Sequence, residues 1–249
     1  MKITKVTISL ILLIIAIIIL AICLYNAQKE KSMVQAPTVS IEDEDQQGKG
    51  ELAKDILGNE EMLILANKQN ELENDFKPTD LERVKYFAPG RDDAARFMRS
   101  QAAKSMNQML EAAKAEGYEI VITTAYRSYN LQKIIFDNNV KKSGSVEIAN
   151  KTSAKPGQSE HQTGLAADLS SKNLDYELTA EFGDTDEGKW ISENAWEYGF
   201  ILRYPKDKEE ITGYSYEPWH VRYVGNDFAK FIYDNQLTLE EFILERNAE

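Results

Sequence analysis

The sequence predicts an α+β domain, with a small and mainly antiparallel sheet packed with helices, preceded by one N-terminal transmembrane helix. Three observations lead there. A helical repeat over residues 92–116 comes before a cluster of short alternating or β-branched runs, an order that suits α+β better than alternating α/β. Residues 6–25 are an uncharged, Ile/Leu-rich run, and as a helix it would measure about 30 Å, the thickness of a hydrocarbon core. The chain of 249 residues is 43% hydrophobic and 28% charged, which is the composition of a folded protein and excludes wholesale disorder.

The apolar run has no polar stripe, so it does not suit a soluble core helix. Lys2 and Lys5 precede it, whereas Lys29 and Lys31 follow with Glu30 between them, a slight bias toward an inside N-terminus. A cleavable signal would need a small-x-small site, and none follows. A lipoprotein signal would use Cys23, but Ile22 before it is bulky. The expectation is an uncleaved anchor over 1–27 that places the bulk of the chain outside the membrane. Residues 28–55 hold Pro37, the run Glu42-Asp43-Glu44-Asp45, Gly48 and Gly50, and read as an acidic flexible linker. The folded domain is expected over 56–249.

Within that domain, Met98, Ala102, Met106, Met109 and Ala113 recur at three- and four-residue steps, which predicts an amphipathic helix over 92–116, ended by Gly117. Residues 118–126 are β-branched and read as a buried strand. Ser128 can cap a helix running to about Lys142. A short strand is expected over 165–170, a helix over 187–198, and strands over 200–204 and 219–224. Two short helices follow Asn226.

Charge narrows the function. Lys and Arg total 29 against 41 Asp and Glu, for a net charge of −12, and no basic tract occurs. A nucleic-acid binder relies on the opposite balance, so that class is excluded. The single cysteine excludes a disulfide scaffold and a cysteine-based zinc finger. Histidine occurs only twice, as His161 and His220.

Both histidines fall in segments punctuated by glycine or proline, each close to a carboxylate. On a strand over 165–170, Leu165, Ala167 and Leu169 share one face and Ala166, Asp168 and Ser170 the other. On the second, Trp219, Val221 and Tyr223 face the core, while His220 and Arg222 share the polar side. Pro218 biases Glu217 to extended geometry. Pairing the two strands brings His161, Asp168, Glu217 and His220 to one pocket. Two imidazoles and one carboxylate form a catalytic zinc set with a position open for water, and a further carboxylate can move the proton. Spacing leaves open which carboxylate ligates and which acts as base, and it leaves Asp168 free to pair with Arg127 or Arg222. Arg127, at the end of the first strand, can clamp a carboxylate or support an oxyanion. Gln132, one turn into the next helix, Ser159 beside His161, Arg203 and Trp219 complete the candidate substrate contacts. A bland reading of each is a surface pair, a turn residue or a core aromatic.

The pieces Ala125-Tyr-Arg-Ser-Tyr, Ser159-Glu-His-Gln-Thr-Gly-Leu-Ala-Ala-Asp-Leu, Gly199-Phe-Ile-Leu-Arg-Tyr-Pro and Glu217-Pro-Trp-His-Val-Arg-Tyr-Val-Gly resemble the zinc D-alanyl-D-alanine carboxypeptidases of the VanY type, with L,D-carboxypeptidase relatives. The resemblance covers about 61–225. It implies zinc (Zn2+) held by His161, Asp168 and His220, with Glu217 as general base. Arg127 would support the scissile carbonyl or the terminal carboxylate, assisted by Ser159 and Gln132, and Trp219 would shape the pocket. The implied substrate is the peptidoglycan stem peptide, and the expected activity is removal of its terminal D-alanine by a monomeric, membrane-anchored enzyme. Release of D-alanine from tetrapeptide stems by an L,D-carboxypeptidase, or a non-catalytic wall-binding domain of the same fold, are the rivals.

Overall fold

The computed structural model describes residues 60–248. The expected membrane helix (1–27), the linker (28–55) and the first residues of the expected 56–249 domain lie outside them. Among the described residues, no helix is long and apolar enough to cross a membrane.

Two sheets form. The smaller is a hairpin of β1 (Leu81–Arg83) and β2 (Phe97–Arg99). The larger has four antiparallel strands, β3 (Ile120–Thr124), β4 (Ala166–Ser171), β5 (Phe200–Tyr204) and β6 (Glu217–Tyr223), in the spatial order β3-β4-β6-β5. The helices are α1 (Ser100–Ala115), α2 (Tyr129–Ser143), α3 (Val146–Ala149), α4 (Asp186–Asn194), α5 (Glu209–Thr212), α6 (Asn226–Asn235) and α7 (Leu239–Arg246). The α+β expectation for the domain holds, with the sheet antiparallel throughout.

Residues 92–116 do not form one helix. Asp92 caps a short 3-10 turn by accepting from the Ala94 amide, and Phe97–Arg99 then extends to pair with β1 before α1 begins at Ser100. The helical spacing of Met98 with Ala102 persists because both enter the same core. The helix expected over 187–198 likewise divides into α4 and a 3-10 turn over Ala195–Tyr198. Ser128 caps α2 through its hydroxyl, accepting from the Leu131 amide, and Gly144 closes that helix in the left-handed region. The two helices expected after Asn226 are α6 and α7, the second opened by a capping box of Thr238 and Glu241.

The core lies on one face of the large sheet. Ala102, Met106, Met109 and Ala113 of α1 pack with Ile120 and Ile122 of β3, Ala167 and Leu169 of β4, and Val221 and Tyr223 of β6. A second cluster joins Ile201 and Val224 to Ala229 and Ile232 of α6 and Leu239 and Phe242 of α7. With that face filled by apolar side chains, the alternation of β4 and β6 delivers Asp168, His220 and Arg222 to the opposite face.

Candidate active site

The register of β4 on β6 builds the site. Asp168 and His220 are direct cross-strand partners, so their side chains rise side by side. His220 Nδ1 lies 2.8 Å from Asp168 Oδ1. His161 arrives from a 3-10 turn over Glu160–Thr163 that precedes β4 and closes at Gly164, where φ is +70°. The left-handed φ favours glycine there, and a Cβ would also stand 2.9 Å from Leu81 Cδ2, so that side chain would have to shift. His161 Nε2 ends 3.1 Å from Asp168 Oδ2, and the two imidazoles meet edge to face with centroids 4.9 Å apart.

These donors fit zinc. One ligand atom from each of His161, Asp168 and His220 lies within 4.8 Å of the others, and all three residues are buried. The other nitrogen of His161, Nδ1, sits 2.6 Å from the Ala125 carbonyl oxygen. A carbonyl can only accept, so Nδ1 carries the proton and the Nε2 lone pair faces the site. Tetrahedral zinc, with bonds of about 2.0–2.2 Å, needs donors a little over 3 Å apart, close to the separations found. Burial by itself would raise the Asp168 carboxyl, but the two imidazoles outweigh it and hold the group well below its ordinary range. Burial lowers His161. It also acts to lower His220, but the Asp168 and Glu160 carboxylates raise that ring to about 9, so metal entry displaces a proton there.

Glu217 opens β6 and lines the same cavity, of about 390 Å³, as the three donors. Burial pushes its carboxyl up to about 7; the charge of Asp168 also raises it, and His220 and Arg127 oppose. A carboxylate poised there is suited to taking and returning a proton at neutral pH. Arg127 reaches the cavity from the end of β3, with Nη2 3.6 Å from Asp168 Oδ2. Its Nη1 donates to Gln132 Oε1 at 2.8 Å, and Gln132 Nε2 donates in turn to the Ala154 carbonyl at 2.6 Å. The guanidinium is thereby aimed across the pocket by α2. Ser159 and Trp219 also line the cavity, so four of the five expected substrate contacts share it.

Arg203 does not. Its side chain is fully buried behind the site, donating from Nε to Glu160 Oε1 at 2.8 Å and from Nη1 and Nη2 to Glu240 of α7 at 2.8 and 2.6 Å. The expected substrate contact is corrected to an internal ion pair, because the guanidinium is fully buried, bound by two carboxylates and stacked on the Tyr204 ring at 4.9 Å. Arg222, weighed as a partner of Asp168, instead donates to Glu160 Oε1 at 2.6 Å. Sequence reasoning missed Glu160 itself, together with Tyr204 and Tyr214 of the cavity wall. Tyr204 lies against His220, with ring centroids 4.9 Å apart. A signal for Glu160 was present: a strand that places Arg222 beside a site histidine on a closed face demands a carboxylate nearby.

Comparison with known proteins agrees with this geometry. The family model described as "VanY: D-alanyl-D-alanine carboxypeptidase" matches residues 95–226, a span that contains every donor, Glu217 and Arg127. YodJ of Bacillus subtilis (strain 168), which is named as a carboxypeptidase, is 50% identical over 184 residues, or 74% of this chain and 67% of that protein. The solved structure of the L,D-carboxypeptidase LdcB aligns with 49% identity and a TM-score of 0.70, covering 74% of this chain and 86% of that one. A variant of the vancomycin-resistance D,D-pentapeptidase VanY, solved with Zn(II), aligns with 33% identity and a TM-score of 0.62, covering 74% and 99%. A buried His/Asp/His donor set beside a raised glutamate, within a match of this extent, places the chain in the VanY-type D-alanyl-D-alanine carboxypeptidase family, the zinc metallo-carboxypeptidases.

Proposed function

We propose that this protein hydrolyses the C-terminal D-alanine from peptidoglycan stem peptides, with His161, Asp168 and His220 as the zinc ligands and Glu217 as the general base. The observation that carries the reading is the convergence of those four side chains with Arg127 in one cavity. When bound, zinc supplies Lewis acidity, lowering the pKa of a water and polarising the scissile carbonyl. Glu217 accepts the proton of the attacking water and hands it to the leaving amine as the C–N bond breaks. Arg127 holds the terminal carboxylate of the peptide or the charge that grows on the carbonyl oxygen, preorganised for either task by Gln132. Ser159 supplies a polar contact on the same wall, and Trp219 screens the reacting bond from bulk water.

The D,D activity on pentapeptide stems is the expectation from sequence. The 49% identity to the L,D-carboxypeptidase LdcB, against 33% to the D,D-pentapeptidase, favours the L,D activity, in which D-alanine leaves a tetrapeptide stem. Digestion of penta- and tetrapeptide stems with and without a chelator, with products separated by chromatography, tests both. D-alanine released from the tetrapeptide, and lost with chelator, supports the L,D reading. Release from the pentapeptide alone restores the D,D reading, and no release from either refutes the function. The uncharged run over 6–25 supports an N-terminal anchor with the catalytic domain on the outer side of the membrane, where stem peptides lie. Fractionation followed by protease treatment of intact cells tests that placement.

A further inference from the structure

Glu160 sits directly behind the ring of His220. Its Oε1 is saturated by two donors, Arg203 Nε at 2.8 Å and Arg222 Nη1 at 2.6 Å. Its Oε2 is buried without a hydrogen-bond partner, and so is His220 Nε2. The two orphaned atoms face each other at 3.6 Å, slightly beyond hydrogen-bond reach. Neither arginine is free to release the carboxylate. Arg203 is held from its far side by Glu240, and Arg222 Nη2 donates to the carbonyl oxygens of Met62 and Ile64 at 2.9 and 2.7 Å.

We propose that Glu160 is a positioning residue for the metal site, accepting the Nε2–H of His220 so that Nδ1 is the nitrogen presented to the ion. This inference rests on the ligand set proposed above. The reason is a proton count. His220 Nδ1 faces Asp168, a co-ligand, so when its lone pair turns to a cation the ring proton must reside on Nε2. A buried N–H without an acceptor costs the desolvation of that group, and the Glu160 Oε2 atom already waits on that side. A carboxylate acceptor also raises the basicity of the ligating nitrogen. The two rings then ligate through opposite atoms, His161 through Nε2 with Ala125 behind it, His220 through Nδ1 with Glu160 behind it.

The chain holds only these two histidines, so their ring nitrogens can be observed without crowding. Long-range proton–nitrogen NMR of the full-length, nitrogen-15-labelled protein, recorded before and after zinc addition, should show one ring bound through Nε2 and the other through Nδ1. The Nε2–H of the second ring should exchange slowly with water. In Glu160→Gln that proton should exchange faster, and the zinc Kd measured by chelator competition should weaken by about 10–100-fold. Glu160→Asp keeps a charge for the arginines but withdraws the carboxylate, and should weaken zinc while preserving the fold by circular dichroism. Both rings bound through Nε2 in the wild-type protein would overturn the proposal, even if neither variant folds. Unchanged Kd and exchange in a folded Glu160→Gln would overturn it as well. No zinc-induced change in either ring would instead remove the ligand set, and this proposal with it.

Discussion

Glu217 takes its chemistry from its surroundings rather than from its type. It is a glutamate lifted to about 7 by burial, in the same cavity as the proposed zinc ligands. Replacing it with glutamine removes the proton acceptor while preserving volume, so Glu217→Gln should lower kcat by roughly 10²–10⁴-fold with zinc content unchanged by metal analysis. Only the ionised form accepts a proton, so kcat/KM should climb with rising pH as Glu217 ionises. A bound dication favours the carboxylate, which moves that limb below pH 7 in the loaded enzyme, and a pH–rate profile of wild type against Glu217→Gln locates it. Asp168 and His220 were legible in the sequence because two-residue alternation fixes which side chains share a face, and His161 because histidine was too scarce to offer an alternative; Glu217, at odd spacing from His220, and the division of roles rested on the family resemblance. Arg203 was misassigned because an arginine on a strand looks the same whether a substrate or an internal carboxylate awaits it. Glu160 escaped notice because its partners come from β5 and β6, far away in sequence.

At the scale of elements, the antiparallel pairing of β4 with β6 aligns the ligands, and the helices behind it hold the alignment. Helix α7 contributes Glu240, whose carboxylate receives two guanidinium donors from Arg203. Glu240→Ala leaves that buried cation with one partner fewer, and should cost about 3 kcal/mol in denaturant unfolding. The turn into β5 is equally constrained. Gly199 has φ of +80°, and a Cβ there would lie 2.7 Å from the Tyr223 ring. Gly199→Ala should therefore destabilise by about 2 kcal/mol or more, combining left-handed strain with overpacking, measured as a lowered urea midpoint. The helices and longer strands announced themselves by period. The hairpin of β1 and β2 did not, since three-residue strands are too short to display alternation and Met98 continues the helical spacing of α1.

Across the whole molecule, stability and metal occupancy are linked. An ion that binds only the folded chain, at about a thousand times its Kd, adds about 4 kcal/mol, so chelation should lower Tm by roughly 10 °C for a domain of this size. Acid acts on the same centre. Both Asp168 and Glu160 are held below their ordinary values in the folded protein, against the penalty of burial, by the imidazoles and by Arg203 and Arg222 respectively. Their contribution is complete above about pH 4.5, where the unfolded chain is also ionised, and is lost as pH falls below it. Thermal melts of metal-free protein should therefore decline steeply below about pH 4.5.

The grip of Arg222 on the carbonyls of Met62 and Ile64 sets a limit on how far the protein can be trimmed. Any cleavage that frees the domain from what precedes it must fall before Met62 if the released piece is to stay whole. A cut a few residues further along would strip the acceptors from a guanidinium two positions beyond the proposed zinc ligand His220. Limited digestion should accordingly yield a durable, active fragment beginning near residue 60, and an inert one when the scissors land past Ile64.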